Sequence, residues 1–204
     1  MNRETKNWVK QNKNEYYFRT SKLEGYRSRA AYKLIEIDKK FKIFQNKEKI
    51  IDLGASPGSW SQVVKKKCPK SNLLSVDVKP FNKIKDSSIL IGNFNDKLIK
   101  ENIFNFFNSK VDLILSDMAN NTTGNKNLDV VRTGELCLES IIFSRNILNY
   151  RGILVSKLFM GSIFNEIKTN AKEIFKELKI FKPKSSKSES KEVYIICKDL
   201  KNPL

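Results

Sequence analysis

Asp117 and Lys157 are charged residues at the far end and in the middle of segments that read as buried strands. Asp117 closes Val111-Asp112-Leu113-Ile114-Leu115-Ser116-Asp117, and Lys157 lies inside Ile153-Leu154-Val155-Ser156-Lys157-Leu158-Phe159. Burying either charge alone costs several kcal/mol, so each needs a partner or a cavity. An amine and a carboxylate facing one cleft could take a proton from a substrate and orient it. The bland alternative for Lys157 is an ammonium that snorkels out near the strand end.

A ligand pocket is written in Ile50-Ile51-Asp52-Leu53-Gly54-Ala55-Ser56-Pro57-Gly58-Ser59-Trp60-Ser61-Gln62, which reads as a buried strand, a small-residue turn and a helix start. The strand delivers Asp52 to the carboxyl edge of a sheet. Gly54 and Gly58 allow close backbone approach, and the helix start offers unpaired N–H groups. The spacing departs from the dinucleotide pattern G-x-G-x-x-G, because Ser56 and Pro57 fall inside the turn and proline has no N–H for a pyrophosphate. A nucleoside ligand without phosphates fits better, and S-adenosylmethionine (AdoMet), an adenosine with an amino-acid tail and a sulfonium, is one. Roughly 20 residues further on, Asp77 ends a second strand, at the interval where a carboxylate meets a bound ribose. Taken alone, Asp77 is equally consistent with a solvated turn.

These groups have to be positioned by strands alternating with helices, the pattern of a mostly parallel sheet covered on both faces. A short N-terminal region precedes a helix with Ala31, Leu34, Ile35 and Ile37 on its apolar face. The glycine turn leads into a helix through Val63, Val64 and Lys67, and Asn72 to Val78 form the second strand. Ser88 to Asn93 read as the third strand, and Leu98, Ile99, Ile103, Phe106 and Phe107 as a helix face. Val111 to Asp117 form the fourth strand, followed by a long helix through Leu136, Leu138, Ile141, Ile142 and Ile147. Ile153 to Phe159 form the fifth strand and Ile163 to Phe175 a helix. Leu178 to Phe181 and Glu192 to Cys197 complete the set.

With 204 residues, 40% of them hydrophobic, the chain is read as a single domain over 1–204. No apolar run reaches the roughly 18 residues that span a bilayer, and Met1-Asn2-Arg3-Glu4-Thr5-Lys6 opens no signal peptide, so a cytoplasmic protein without a membrane partner is expected. Cys68, Cys137 and Cys197 are scattered, which predicts free thiols and no metal site. A net charge of +17, from 39 Lys and Arg against 22 Asp and Glu, predicts a polyanionic partner, first of all nucleic acid. A coding bias toward lysine is the competing source of that charge.

The chain resembles the FtsJ or RrmJ type of ribose 2′-O-methyltransferase, bacterial enzymes of large-subunit rRNA. The likeness runs from Asn7-Trp8 through Gly25-Tyr26-Arg27-Ser28-Arg29-Ala30-Ala31-Tyr32-Lys33-Leu34, the glycine turn, Leu115-Ser116-Asp117-Met118-Ala119 and Val155-Ser156-Lys157-Leu158-Phe159. It ends on Lys184-Ser185-Ser186-Lys187-Ser188-Glu189-Ser190-Lys191-Glu192-Val193-Tyr194. The resemblance implies a Rossmann-like class I AdoMet-dependent fold, a mixed seven-stranded sheet ordered 3-2-1-4-5-7-6 with helices on both faces and the last strand antiparallel. It also implies a catalytic tetrad of Lys33, Asp117, Lys157 and Glu192. The chemistry such a set serves is removal of the proton from a ribose hydroxyl, with Lys157 as base, Asp117 and Glu192 orienting it, and Lys33 steadying the alkoxide. Carried across, the cofactor contacts are Gly54, Gly58 and Trp60 at the turn, Asp77 at the ribose, Asn93 near the adenine and Asp117 toward the methionine end. Trp60 alone would read as helix packing.

Three positions depart from the family pattern: Ser59 stands for a usual glycine, Asn93 for Asp, and Asn120 for proline. Cations Arg19, Lys22, Arg27, Arg29 and Lys33 alternate with Tyr16, Tyr17, Phe18, Tyr26 and Tyr32, so residues 1–30 are read as a basic RNA-contacting region, and a second stretch, Lys182, Lys184, Ser185, Ser186, Lys187, Ser188 and Lys191, leads into Glu192, both flanking the cleft. The expected activity is AdoMet-dependent methylation of a uridine 2′-hydroxyl in the A-loop of large-subunit rRNA on the assembled subunit, by a monomer. The alternatives are tRNA or mRNA-cap methylation, or a non-catalytic RNA-binding assembly factor.

Overall fold

The computed structural model describes residues 15–119, 124–187 and 189–201. Residues 15–23 form α1, followed by α2 (Ala30–Phe41), β1 (Lys49–Leu53), α3 (Ser59–Lys67), β2 (Asn72–Asp77), β3 (Ser88–Ile91) and α4 (Lys97–Phe107). Then come β4 (Val111–Ser116), α5 (Lys126–Ile147), β5 (Leu148–Phe159), α6 (Phe164–Ile174), β6 (Phe175–Phe181) and β7 (Glu192–Leu200). The strands form one sheet in the order β3-β2-β1-β4-β5-β7-β6. All pairings are parallel except those of β7, which runs antiparallel to both β5 and β6.

The central strands are almost wholly buried because helices cover both faces, and alternate residues enter different cores. Ile51, Leu53, Ile114 and Leu154 point toward α4, α5 and α6. Ile50, Leu113, Leu115, Val155, Tyr194 and Ile196 point the other way, onto Ala31, Leu34 and Ile37 of α2 and Trp60, Val63 and Val64 of α3. Truncating a centrally placed side chain such as Leu113 to Ala is expected to cost about 2–5 kcal/mol. The same parity carries Asp52, Asp117, Lys157 and Tyr194 onto the α2–α3 side.

Helix stops follow local chemistry. α2 ends at Lys42 and α4 at Asn108, both in the left-handed region, with their N–H groups returned to Asp38 and Phe104 carbonyls. Element ends differ from the expectation in places. β5 begins at Leu148, since Val111 pairs with Leu148 across a register shift, and β6 begins at Phe175, which pairs with Leu200 of a longer β7. Leu98, Phe106 and Ile142 are exposed, and the buried stripe of α4 is Ile99, Ile103 and Phe107 at strict four-residue spacing. Among the described residues no helix is long and apolar enough to cross a membrane.

Candidate active site

The carboxyl edge of the sheet gathers the four charged residues from four elements. Lys33 stands on α2, Asp117 follows β4, Lys157 lies in β5 and Glu192 opens β7. They form two pairs. Lys33 Nζ donates to Glu192 Oε2 at 2.8 Å, and Lys157 Nζ lies 3.0 Å from Asp117 Oδ1 and donates to the Asp117 carbonyl oxygen at 2.5 Å. Tyr194, opposite Lys157 in the antiparallel β5–β7 pairing, donates its hydroxyl to Asp117 Oδ1 at 2.8 Å. Glu192 and Tyr194 are two residues apart on β7 and share a face.

The charges of the pairs shape one another. Burial opposes the charge of Lys33, but Asp117 and Glu192 outweigh it and hold its pKa above the ordinary lysine value. Burial likewise opposes ionisation of Asp117, yet Lys157 and Lys33, with hydrogen bonds from Lys157 and Tyr194, hold its pKa below the usual carboxylate range. The Tyr194 phenol is pushed well above its ordinary value by burial and by Asp117 and Glu192, so it remains a neutral donor. The site therefore presents a fixed cation, a fixed carboxylate and a fixed hydroxyl.

Beside these pairs lies a cleft of about 510 Å³, lined among others by Gly54, Asp77, Asn93, Phe94, Asp117 and Met118. Gly54 adopts φ +73°, and a Cβ there would fall 2.7 Å from Met118 N and 2.8 Å from Met118 Cα, so only glycine lets the two backbones approach. Asp77 fastens the turn, accepting the Ser56 N–H at 2.9 Å and the Lys79 N–H at 2.8 Å; each oxygen keeps a lone pair for ribose hydroxyls. The size, the bare backbone and carboxylates at two points fit AdoMet, whose ribose hydroxyls donate and whose tail carries an ammonium and a sulfonium beside its own carboxylate.

Gly58 and Trp60 lie outside the lining. Gly58, at φ +104°, begins α3 against the Arg27 guanidinium, where a Cβ would come within 2.7 Å of Nη1. Trp60 is buried, donates Nε1–H to the Ala30 carbonyl at 2.8 Å and packs its ring 5.7 Å from that of Tyr194. Asp52, the next-to-last residue of β1, is fully buried beneath the turn, accepting from Ser61 Oγ at 2.6 Å, and is not among the residues lining the cleft. Ser59 Oγ lies 2.8 Å from Ser28 Oγ, so the residue that replaces glycine ties α3 to the segment before α2.

The N-terminal aromatics converge: Tyr17 packs on Tyr32 and Tyr26 on Tyr32, next to Lys33 in the chain. Arg27 donates its guanidinium to the Pro57 carbonyl at 2.7 Å and to the Asn82 carbonyl, a structural use of a cation expected at RNA. Asn7, Trp8, the remainder of residues 1–14, Asn120 and Ser188 lie outside the described residues. Tyr194 is not among the expected site residues, and Ser186 is expected only as part of the stretch that leads into Glu192. Tyr194 could have been found from its place two residues after Glu192, whereas Ser186, whose hydroxyl meets Glu192, carries no distinguishing signal in a Lys/Ser-rich stretch.

The sheet order with one antiparallel strand, the glycine turn after β1 and the acid that ends β2 define a Rossmann-like class I methyltransferase. Human methyltransferase-like protein 13, solved in complex with SAH, shares the fold at TM-score 0.58 and 14% identity, covering 76% of this chain and 73% of that one. The chain belongs to the FtsJ-like methyltransferase family, whose model matches residues 26–200. It is 52% identical over 200 residues to the ribosomal RNA large subunit methyltransferase E of Pelagibacter ubique, with 98% of each chain covered. A ribosomal RNA methyltransferase from Plasmodium falciparum superposes with a TM-score of 0.76 at 32% identity, over 86% of this chain and 98% of that one.

Proposed function

We propose that the chain transfers a methyl group from AdoMet to a ribose 2′-hydroxyl of RNA, and that its target is a uridine in the A-loop of large-subunit rRNA on the assembled subunit. The observation that carries this reading is the pair of part-buried contacts, Lys33–Glu192 and Lys157–Asp117, at the edge that also holds the cleft. Relatives named as large-subunit rRNA methyltransferases and the charge of +17 support the substrate.

Gly54, Asp77, Asn93 and Asp117 would hold AdoMet, which when bound supplies a methyl group already activated on a sulfonium. Deprotonation of the hydroxyl is left to the protein. To act as base Lys157 must first release to solvent the proton that makes it a cation beside Asp117; the amine then has two N–H bonds and a lone pair, and with both N–H groups on Asp117, at Oδ1 and the carbonyl oxygen, the lone pair takes the remaining direction. A hydroxyl placed there gives its proton to Lys157, which becomes an ammonium, while the Lys33 cation steadies the developing alkoxide. Tyr194 keeps Asp117 from turning away. The tyrosines around Tyr32, residues 1–30 and the lysines over 182–191 form the RNA-contacting surface in this reading.

The test is to incubate the protein with radiolabelled AdoMet and undermethylated large subunits, free rRNA or tRNA, then digest to nucleosides. The expected product is 2′-O-methyluridine from large-subunit rRNA. Label confined to tRNA would move the substrate, bound AdoMet with no labelled RNA would point to a different substrate or a missing partner, and failure to bind AdoMet would favour an assembly factor without catalysis.

A further inference from the structure

We infer that Ser186 and Glu36 are positioning residues of this site, together fixing the Glu192 carboxylate so that one of its oxygens is committed to Lys33. Ser186 is buried, and its hydroxyl donates to Glu192 Oε1 at 2.7 Å while Oε2 accepts from Lys33 at 2.8 Å. The Glu192 N–H donates to Ser190 Oγ at 3.1 Å, so the first residue of β7 is held by both side chain and backbone. A hydroxyl on one oxygen and an ammonium on the other select a single orientation of a carboxylate whose terminal torsion is otherwise broad.

Glu36 supplies the footing for Ser186. It lies three residues after Lys33 on α2, so one helical turn places both side chains on the same face. Its carboxylate accepts the Ser185 N–H at 2.9 Å through Oε1 and the Lys184 N–H through Oε2, with the Tyr17 hydroxyl 3.5 Å from Oε1. These charge-assisted bonds anchor a stretch that belongs to neither helix nor strand, beside its own turn bond from the Ser186 N–H to the Pro183 carbonyl and the bond from Lys182 Nζ to the Ser190 carbonyl at 2.6 Å. α2 thus grips the β6–β7 connection twice: Lys33 takes the Glu192 side chain, and Glu36 takes the backbone at residues 184 and 185. That second grip adds to the turn bond from the Ser186 N–H to the Pro183 carbonyl at 3.2 Å in setting where the Ser186 hydroxyl stands.

The inference rests on the methyl-transfer reading, and two readouts separate them. One is single-turnover methyl transfer to large subunits at saturating AdoMet. The other is the acetylation rate of Lys33 followed by peptide mass spectrometry, which needs no turnover. Ser186→Ala and Glu36→Gln are expected to slow transfer about tenfold or more, to leave the AdoMet Kd within about twofold, and to make Lys33 more reactive. Ser186→Thr, which keeps the hydroxyl, is expected to restore both readouts. Unchanged transfer and unchanged Lys33 reactivity in Ser186→Ala would overturn the assignment, as would equal slowing by Ser186→Ala and Ser186→Thr, the mark of a packing role. If the wild type methylates no RNA while Lys33 still becomes more reactive in Ser186→Ala, the tether stands and the assigned reaction falls.

Discussion

Replacing Asp52 by Asn should change the pH dependence of folding in a defined direction. The Asp52 carboxyl is fully buried; Ser61 donates to Oδ2, the Ser61 and Ser75 hydroxyls lie 2.8 Å apart, and Oδ1 has no hydrogen-bond partner among the described residues. Burial raises its pKa from 3.8 to about 7, moderated by the Ser61 bond and reinforced by the charges of Asp117 and Asp77. The folded chain therefore holds this proton more tightly than the unfolded chain. Ionisation weighs against folding increasingly as pH climbs from about 4, and the penalty is complete above about 7. At 1.36 kcal/mol per pKa unit the full effect is about 4 kcal/mol, of which about 2.5 kcal/mol develops between pH 5 and pH 8. Asn keeps an acceptor for Ser61 and places an amide where Oδ1 lacks a partner, a cost of about 1–3 kcal/mol that does not vary with pH. Urea unfolding of both proteins across this range is the assay. The stability gap should move by about 2.5 kcal/mol in favour of Asn from pH 5 to pH 8. A gap constant to within about 0.5 kcal/mol would refute a buried, protonated Asp52.

Tyr194→Phe removes one donor from Asp117 Oδ1 and is expected to lower kcat about tenfold with little change in the KM for AdoMet, as read by steady-state methyl transfer. Gly54→Ala drives a Cβ into the Met118 backbone at a left-handed position; calorimetry should show weakened AdoMet binding and denaturation a loss of about 2 kcal/mol or more. Burial pushes the Cys137 thiol up to about 12 and that of Cys197 well above its ordinary value, so a thiol reagent near neutral pH should label half-buried Cys68 first, and all three cysteines only in denaturant.

Strand identity was legible because buried parallel strands are near-continuous apolar runs, and the departures from apolarity at Asp117 and Lys157 marked residues that do pair. Strand ends were not legible where pairing alone decides them. Asn149, Tyr150 and Arg151 give no strand signal, and they are in β5 because Leu148 reaches Val111. Trp60 and Asp52 show another limit: the glycine turn announces a pocket, but which of its neighbours face the ligand depends on the parity of β1 and the path of α3. The tether on Glu192 depends on contacts between Glu36 and residues about 150 positions later, which no local pattern encodes.

The most direct test of the account is the single-turnover rate of Lys157→Arg on undermethylated large subunits, measured with its AdoMet affinity. Arginine keeps the positive charge beside Asp117 but cannot give up its proton. The account predicts a loss of about 100-fold or more in transfer with AdoMet still bound; transfer at a rate comparable to wild type would show that Lys157 acts only through its charge and is not the base.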